Sequence, residues 1–491
     1  MSEDPDFDME VVEDDELDSY APSDSSTEAD VSTGGELEQE QPIGQERPKT
    51  QTADSGTVKL GPKELSIPSV WNITTFEEAN ESEKPIGYGV VKPGPHIENG
   101  IPLIRITDVV DGRLEVGQDF HRISDELDEQ YSRSRLDGGE LLVSIQGTVG
   151  EVVVAPSELD GANISRTLAR ITPGEGLNTY WVKYFLGSKE AQDYIEVVSS
   201  GSTRASYNIG DIRKTKLPVP PLSEQRKIAS VLYAVDQAIQ KTESIIEQAK
   251  RVKRGAERKL FRRGYYQHGV SEKRLTVLPT DWKFEPLEEH TQSSAFGPRF
   301  SGDLYDDDGN VAVLRTTDLD SQGRITHETM PRAALDLQEI EDHIVEKGDL
   351  LITRSGTTGI TTVWDGYRIP VIPGAFLIRF RLSQSVDPSF LKYYINSDVG
   401  GRRVDRRAKG GVQKNLAGSD LLNMRFPIPP MEEQEEIVKV LDGFDAQITQ
   451  EKNLRDRLQS LKKGLMQDLL TGEVRTMGKA IEVLGEVKAH G

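Results

Sequence analysis

Pro218-Val219-Pro220-Pro221-Leu222-Ser223-Glu224-Gln225 recurs as Pro427-Ile428-Pro429-Pro430-Met431-Glu432-Glu433-Gln434, 209 residues further along, and each copy opens a long stretch of heptad-like apolar spacing. A constant offset of this kind marks an internal duplication. The repeat extends upstream of the proline box. Pro68-Ser69-Val70-Trp71 corresponds to Pro279-Thr280-Asp281-Trp282, and Ile101 to Val109 corresponds to Val311 to Leu319, both copies keeping Arg-x-Thr-Asp. Gly139-Glu140-Leu141-Leu142-Val143-Ser144 matches Gly348-Asp349-Leu350-Leu351-Ile352-Thr353, each followed by a Gly-Thr-x-Gly turn, and Trp181 to Leu186 matches Phe390 to Ile395. Offsets stay between 209 and 211, so each half is one domain followed by one helix.

The box reads as a helix entrance. Proline fixes φ and cannot continue a preceding ladder, while acidic residues just after it sit where the helix dipole favours negative charge. Ser223 is the expected N-cap of the first helix. From Ile228 the apolar positions run through Val231, Leu232, Val235, Ile239, Ile245, Ala249, Val252, Ala256 and Leu260; from Ile437 they run through Val440, Leu441, Phe444, Ile448, Leu454, Leu458, Leu461, Leu465 and Leu469. Steps of three and four over roughly five heptads predict a coiled-coil seam. Each helix would be roughly 58 Å long at about 1.5 Å per residue, the span of about 17 base pairs of B-DNA. Antiparallel pairing would place the two domains at opposite ends of this ruler. Duplicated halves joined by long helices suit a target in two parts at a fixed separation, which points to split-site DNA recognition more than to one active site.

The expected fold class is α+β: two tandem mixed α/β domains, each followed by a long helix, with the helices pairing as an antiparallel coiled coil. Residues 59–221 form the first domain, 222–264 the first helix, 265–430 the second domain and 431–472 the second helix. Short β-branched runs such as 101–107, 141–145 and 151–155 are bounded by Gly, Asp and Pro. Between 178 and 197 the period changes, and Tyr180, Trp181, Tyr184, Phe185 and Tyr194 predict a helix packed on the sheet. These aromatics, like Phe390, Leu391, Tyr393 and Tyr394, read as core more than as base-stacking residues.

At 491 residues the chain suits two or three domains. Its net charge of −23 is uneven: residues 1–57 hold 18 acids against Arg47 and Lys49. That composition predicts a disordered acidic tail over 1–58, with a second tail at 473–491. The rest carries about −7, and over the whole chain Arg (33) exceeds Lys (26). An acidic surface of this type suits a halophile's salt-rich cytoplasm, where a Debye length of roughly 3 Å screens repulsion of phosphate. With no cysteine, disulfides and thiolate chemistry are excluded. No run approaches the roughly 18 apolar residues of a membrane span, and the N-terminus has no basic region followed by an apolar stretch, so a soluble, cytoplasmic protein is expected. The Asn-x-Ser/Thr triplets at Asn72, Asn80 and Asn163 then read as chance matches.

With both proline boxes, Trp71 and Trp282, both Leu-Leu-Val/Ile-Ser/Thr runs with their glycine turns, and Lys462-Lys463-Gly464-Leu465-Met466-Gln467-Asp468-Leu469-Leu470-Thr471-Gly472 in place, the chain resembles the DNA specificity subunit of type I restriction-modification systems over about residues 60–475. The resemblance implies two target-recognition domains, each reading half of a bipartite double-stranded target, and helices that act as spacer and docking site. It implies no catalysis in this chain. Modification (methyltransferase) subunits would carry S-adenosylmethionine, and a restriction/translocase subunit would carry ATP and Mg. Pro220, Pro221, Glu224, Gln225, Pro429, Pro430, Glu433 and Gln434 become the candidate partner contacts. One departure is local: Lys259-Leu260-Phe261-Arg262-Arg263-Gly264 ends the first helix where Asp468-Leu469-Leu470-Thr471-Gly472 ends the second.

Enzyme readings are tested by absence. An amino-methyltransferase needs Asn or Asp before Pro-Pro and an aromatic after it, yet here Val219-Pro220-Pro221-Leu222 and Ile428-Pro429-Pro430-Met431 stand. No Gly-x-x-x-x-Gly-Lys-Ser/Thr cradle occurs, and the seven His show no metal-ligand spacing. The competing readings are a protein-binding coiled-coil scaffold and, with less support, a self-contained restriction or methyltransferase enzyme.

DNA contacts are expected from loops and strand ends, as Arg to guanine, Gln or Asn to adenine, and hydroxyls to base or phosphate. In the duplicated turn the candidates are Ser144, Gln146 and Thr148, facing Arg354, Ser355 and Thr357; the frame repeats while Gln146 and Arg354 differ. Arg105 and Thr107, with Arg315 and Thr317, are shared by both copies, so phosphate positioning or, slightly favoured, an internal Arg–Asp pair is expected. Ahead of the second box Arg406, Arg407, Lys409, Gln413 and Lys414 could line a groove, and their counterparts are Arg204, Tyr207 and Asn208. The basic run from Lys250 to Arg263 reads foremost as a helix C-terminus complementing its dipole.

Overall fold

The computed structural model describes residues 55–60, 63–110, 112–114, 116–117, 119–200, 206–273, 276–408 and 415–472, without the side chains of 55 and 270–278. Nearly all of the acidic segment and all of 473–491 therefore lie outside the described residues. The tail boundary expected at 58 is too late, because Ser55–Leu60 is already a strand, paired antiparallel with Lys63–Pro68.

Each domain is built from the same pieces. In the first, a four-stranded antiparallel sheet runs in the order Val152–Val154, Leu141–Ser144, Leu168–Ile171, Gly87–Tyr88. In the second, the order is Thr361–Val363, Leu350–Thr353, Leu377–Leu382, Thr291–Phe296. The central strands Leu141–Ser144 and Leu350–Thr353 are buried at every position, which explains why their sequences are continuous apolar runs instead of alternating ones. A three-stranded sheet beside each contains one parallel pair, Asn163–Ile164 with Ile101–Ile104 and Val371–Pro373 with Val311–Leu314. A two-stranded ladder then closes each domain on itself: Asn72–Thr75 with Lys216–Val219, and Lys283–Pro286 with Arg425–Ile428. This ladder ends where the proline box begins. The aromatics of Thr179–Leu186 and Pro388–Asn396 are core, as expected; Trp181 is fully buried, edge-on to Trp71 at 5.4 Å.

Leu222–Arg263 and Met431–Leu470 form helices of 42 and 40 residues, roughly 60 Å each at about 1.5 Å per residue. Their contacts run in opposite order, Lys253 meeting Asp445 and Asp236 meeting Lys462, so they pack antiparallel. Each helix starts in its own domain's core and finishes in the other's. Ile228, Val231 and Leu232 join Trp71 and Trp181, where Leu469 and Leu470 also arrive. Ile437 and Leu441 join Trp282 and Phe390, where Leu260 and Phe261 arrive. The two domains are thereby held at opposite ends of the helix pair.

Two details of the helices differ from expectation. The first helix has Pro221 as its N-cap, with no side-chain cap, and Ser223 lies inside it; the second is entered through Pro430 in the same way. The seam of the first helix passes through Val235, Ile239, Thr242, Ile246, Ala249 and Lys253. These steps alternate four and three, so Ile245 and Val252 fall one residue to the side, and Val252 is 52% exposed.

 The polar seam position is explained by its partners. Lys253 Nζ reaches Asp445 at 2.6 Å, Tyr393 Oη donates to the same carboxylate at 2.8 Å, and the mirror arrangement joins Lys462 and Tyr184 to Asp236 at 2.6 and 2.8 Å. Burial pushes both phenols up, so they remain protonated donors. A polar pair inside an apolar seam fixes the register in which the helices can meet. Asp445→Ala should therefore lower stability by roughly 1–2 kcal/mol, allowing for solvent at the half-open carboxylate. Urea unfolding of the full chain measures it, and an unchanged midpoint would show that the network does not hold the domain on the helices.

Candidate nucleic-acid interface

Three segments converge at one edge of each domain, on the same backbone frame. The first is a strand end with an aromatic followed by glycine, Tyr88-Gly89 or Phe296-Gly297. A Cβ on either glycine would overlap a backbone carbonyl, that of Ile164 or of Pro373, so the close approach requires glycine. The second is the glycine turn, with positive φ at Gly147 and Gly150 and at Gly356 and Gly359. The third is the segment entering the last short helix, bridged to the turn through Gln146 and Ser206 or Ser355 and Asn415. The backbone bonds repeat: Ile145 N donates to Thr167 O at 2.9 Å and Tyr207 N to Ile145 O at 3.1 Å, while Arg354 N donates to Phe376 O and Leu416 N to Arg354 O, both at 2.8 Å.

The candidate DNA contacts divide on this frame. Gln146 and Thr148 are exposed on the first turn, Thr357 is exposed on the second, and Arg354 and Ser355 are half-buried beside it. Thr107 and Thr317 are exposed, as are Arg406 and Arg407 just past the helix Asp398–Asp405. Arg204, Lys409, Gln413 and Lys414 lie outside the described residues.

Three candidates, Ser144, Tyr207 and Asn208, are corrected. Ser144 is fully buried, and its hydroxyl donates to the Thr148 carbonyl and accepts from Glu151 N at 2.8 Å; Thr353 does the same with Thr357 and Ile360. Its hydroxyl shapes the turn from inside. Tyr207 is fully buried with its phenol on Thr215, and Asn208 caps the helix Ile209–Lys214 by accepting from Asp211 N. Arg105 and Arg315, by contrast, form the slightly favoured internal pair, bonding Asp108 at 3.0 Å and Asp318 at 2.9 Å. In each case a partner within the fold takes the polar group that DNA would otherwise use.

Sequence reasoning missed Tyr88, Arg166, Phe296, Arg299 and Phe376, which are exposed at this edge. An aromatic before glycine at matching places in both copies was the available signal for Tyr88 and Phe296. Arg166 and Phe376 carry no pattern in the sequence.

The candidate partner contacts in the boxes are corrected too. Gln225 is fully buried, accepting from Asn178 N at 2.9 Å and donating to Gly176 O and Pro220 O; Gln434 repeats this with Asp387 N, Ser385 O and Pro429 O. Glu433 is buried as well and accepts from Tyr265 N at 2.7 Å, Trp282 Nε1 at 2.9 Å and His268 Nε2 at 3.0 Å. These side chains tie each helix entrance to its domain. Pro220 and Pro429 are buried, whereas Pro221 and Pro430 are exposed and Glu224 is half-buried.

This geometry repeats a scaffold twice, and the sequence matches the type I restriction modification DNA specificity domain twice, over residues 75–251 and 279–460. The chain belongs to the type I restriction-modification DNA specificity family. It is 23% identical to a protein of Methanocaldococcus jannaschii assigned as the MjaX type I restriction enzyme specificity subunit, over 83% of this chain and 95% of that one. It is 31% identical to the EcoBI specificity subunit of Escherichia coli over 38% of this chain and 39% of the relative. The crystal structure of the type I restriction-modification S subunit from M. genitalium shares its fold, with a TM-score of 0.52 at 14% identity, covering 84% of this chain and 98% of that one.

The contacts of His268 predict a pH-dependent stability for this specificity chain. Burial works against the charged imidazole, but Glu433 and Asp281 outweigh it and raise the pKa above the ordinary histidine value. A raised folded pKa contributes stability that is complete below the unfolded value and is lost as pH rises through the folded one. Unfolding midpoints should fall as pH rises from the ordinary histidine value through the raised one. His268→Gln should flatten that step, and an identical profile in the variant would count against the pairing.

Proposed function

We propose that this chain is the non-catalytic DNA-recognition subunit of a type I restriction-modification assembly, reading a bipartite double-stranded target and directing adenine methylation and restriction carried out by partners. The observation that carries this reading is the repeated edge: one backbone frame, present at both ends of an antiparallel helix pair, with different side chains on its turn. A shared frame places two reading surfaces equivalently, and differing side chains let each read its own bases. The helix pair then acts as a coiled-coil ruler for the spacer between half-sites.

In this reading modification subunits bring S-adenosylmethionine, and a restriction/translocase subunit brings ATP and Mg. Among the described residues no helix is long and apolar enough to cross a membrane, which agrees with a cytoplasmic assembly. The acidic balance of the chain suits work at high salt, where repulsion of DNA phosphates is screened.

Base-resolution mapping of adenine methylation in cells with and without this chain tests the proposal. Deletion should remove one bipartite methylated motif, and an unchanged methylome would sink the reading. Removing matched heptads from both helices should change the spacer while leaving both half-sites intact. A spacer that stays the same length would refute the ruler.

A further inference from the structure

The arginines around the second reading edge mostly have acceptors. Arg315 bonds Asp318, Arg379 bonds the Asp342 carbonyl, Arg381 bonds Asp349 and Arg403 bonds the Arg425 carbonyl. Arg354 differs. It is half-buried, its guanidinium carbon lies 4.8 Å from the centre of the Phe296 ring, and its Nε is shielded from solvent with no hydrogen-bond partner among the described residues. Leaving a shielded donor unpaired is costly, and a guanidinium stacked on a ring keeps its planar N–H fork available at the edge. That fork borders a cavity of about 540 Å³ lined also by Arg299, Ser355, Phe376 and Asn415. Phe296 and Phe376 are 41% and 56% exposed at its rim.

We propose that Arg354 reads a guanine in the half-site taken by the second domain, with Phe296 holding the guanidinium plane. The proposal rests on the DNA-recognition reading above. A planar fork matches the O6 and N7 acceptors of guanine in the major groove. Phosphate would satisfy the charge as well, but two observations favour the base. The matched position in the first domain is Ile145, which is buried, so the common frame does not require a cation there; a contact that merely positions the duplex would serve both halves alike. The exposed phenyl rings beside the fork offer phosphate no hydrogen bond, whereas they can lie against base edges or a thymine methyl group.

The test uses the purified multisubunit assembly and the duplex motif found by methylation mapping, with each base pair of the second half-site replaced in turn. For the unaltered chain, replacing one G·C pair should weaken binding roughly 5- to 150-fold. Arg354→Ala should remove that discrimination while the penalties at other pairs and in the first half-site remain. Arg354→Lys keeps the charge and the stem but not the fork, so it should lose the same discrimination; it also guards against a folding defect in the alanine variant. A half-site without guanine, retained discrimination in the alanine variant, or restoration by lysine would each overturn the proposal. So would uniform weakening on all sequences with a shallower salt dependence, the signature of a phosphate contact. Loss of all sequence preference in the unaltered assembly would instead defeat the recognition reading itself.

Discussion

Each long helix is shared between two cores. The first helix leaves the first domain beside Trp181 and ends with Phe261 packed edge-on against Phe390 and Tyr394 in the second. The second helix returns the other way, bringing Leu469 and Leu470 to Trp71. Neither domain's core is complete without the far end of the other's helix. Separating the domains would expose these apolar ends, at about 25 cal/mol per Å² of apolar surface, so the spacing between domains is part of the fold itself.

The polar contacts make that arrangement specific. Hydrophobic burial along a rod tolerates sliding, since one heptad resembles the next. The Tyr–Asp–Lys clusters at Asp236 and Asp445 do not tolerate it, because displacement by one turn would leave charged groups without partners in a low-dielectric seam. Gln225 and Gln434 do the same work at the helix entrances, each bonding the backbone of its domain. The boxes thus set the direction in which each helix departs, and the clusters set where it stops relative to its partner.

On this frame the two candidate edges carry different side chains. The hydroxyls of Ser144 and Thr353 hold their turns in the same shape from inside. Outside that frame Gln146 stands against Ser355, and Ile145 against Arg354. Change at such positions would alter what each edge offers a ligand without disturbing what holds the turn, because the turn's hydrogen bonds involve backbone and buried groups alone.

The duplication, the two helices, their entrances and the aromatic core of each domain were all legible in the sequence, because periodicity and repeat offset report local geometry directly. The order of antiparallel packing was legible as well, from domains that must sit at the far ends of paired helices. What the linear order could not separate was which polar residues face outward. Tyr207, Ser144, Gln225 and Glu433 look like contact residues in a motif, yet each is buried by segments distant in the chain. Lys253 reads as one more cation in a basic run and is instead a seam residue, since Asp445 lies opposite it. The sequence alone determined two domains on two helices, through apolar spacing that is a property of neighbouring residues. Only the tertiary structure decided which side chains remain available to a ligand, because availability depends on acceptors that folding brings from elsewhere.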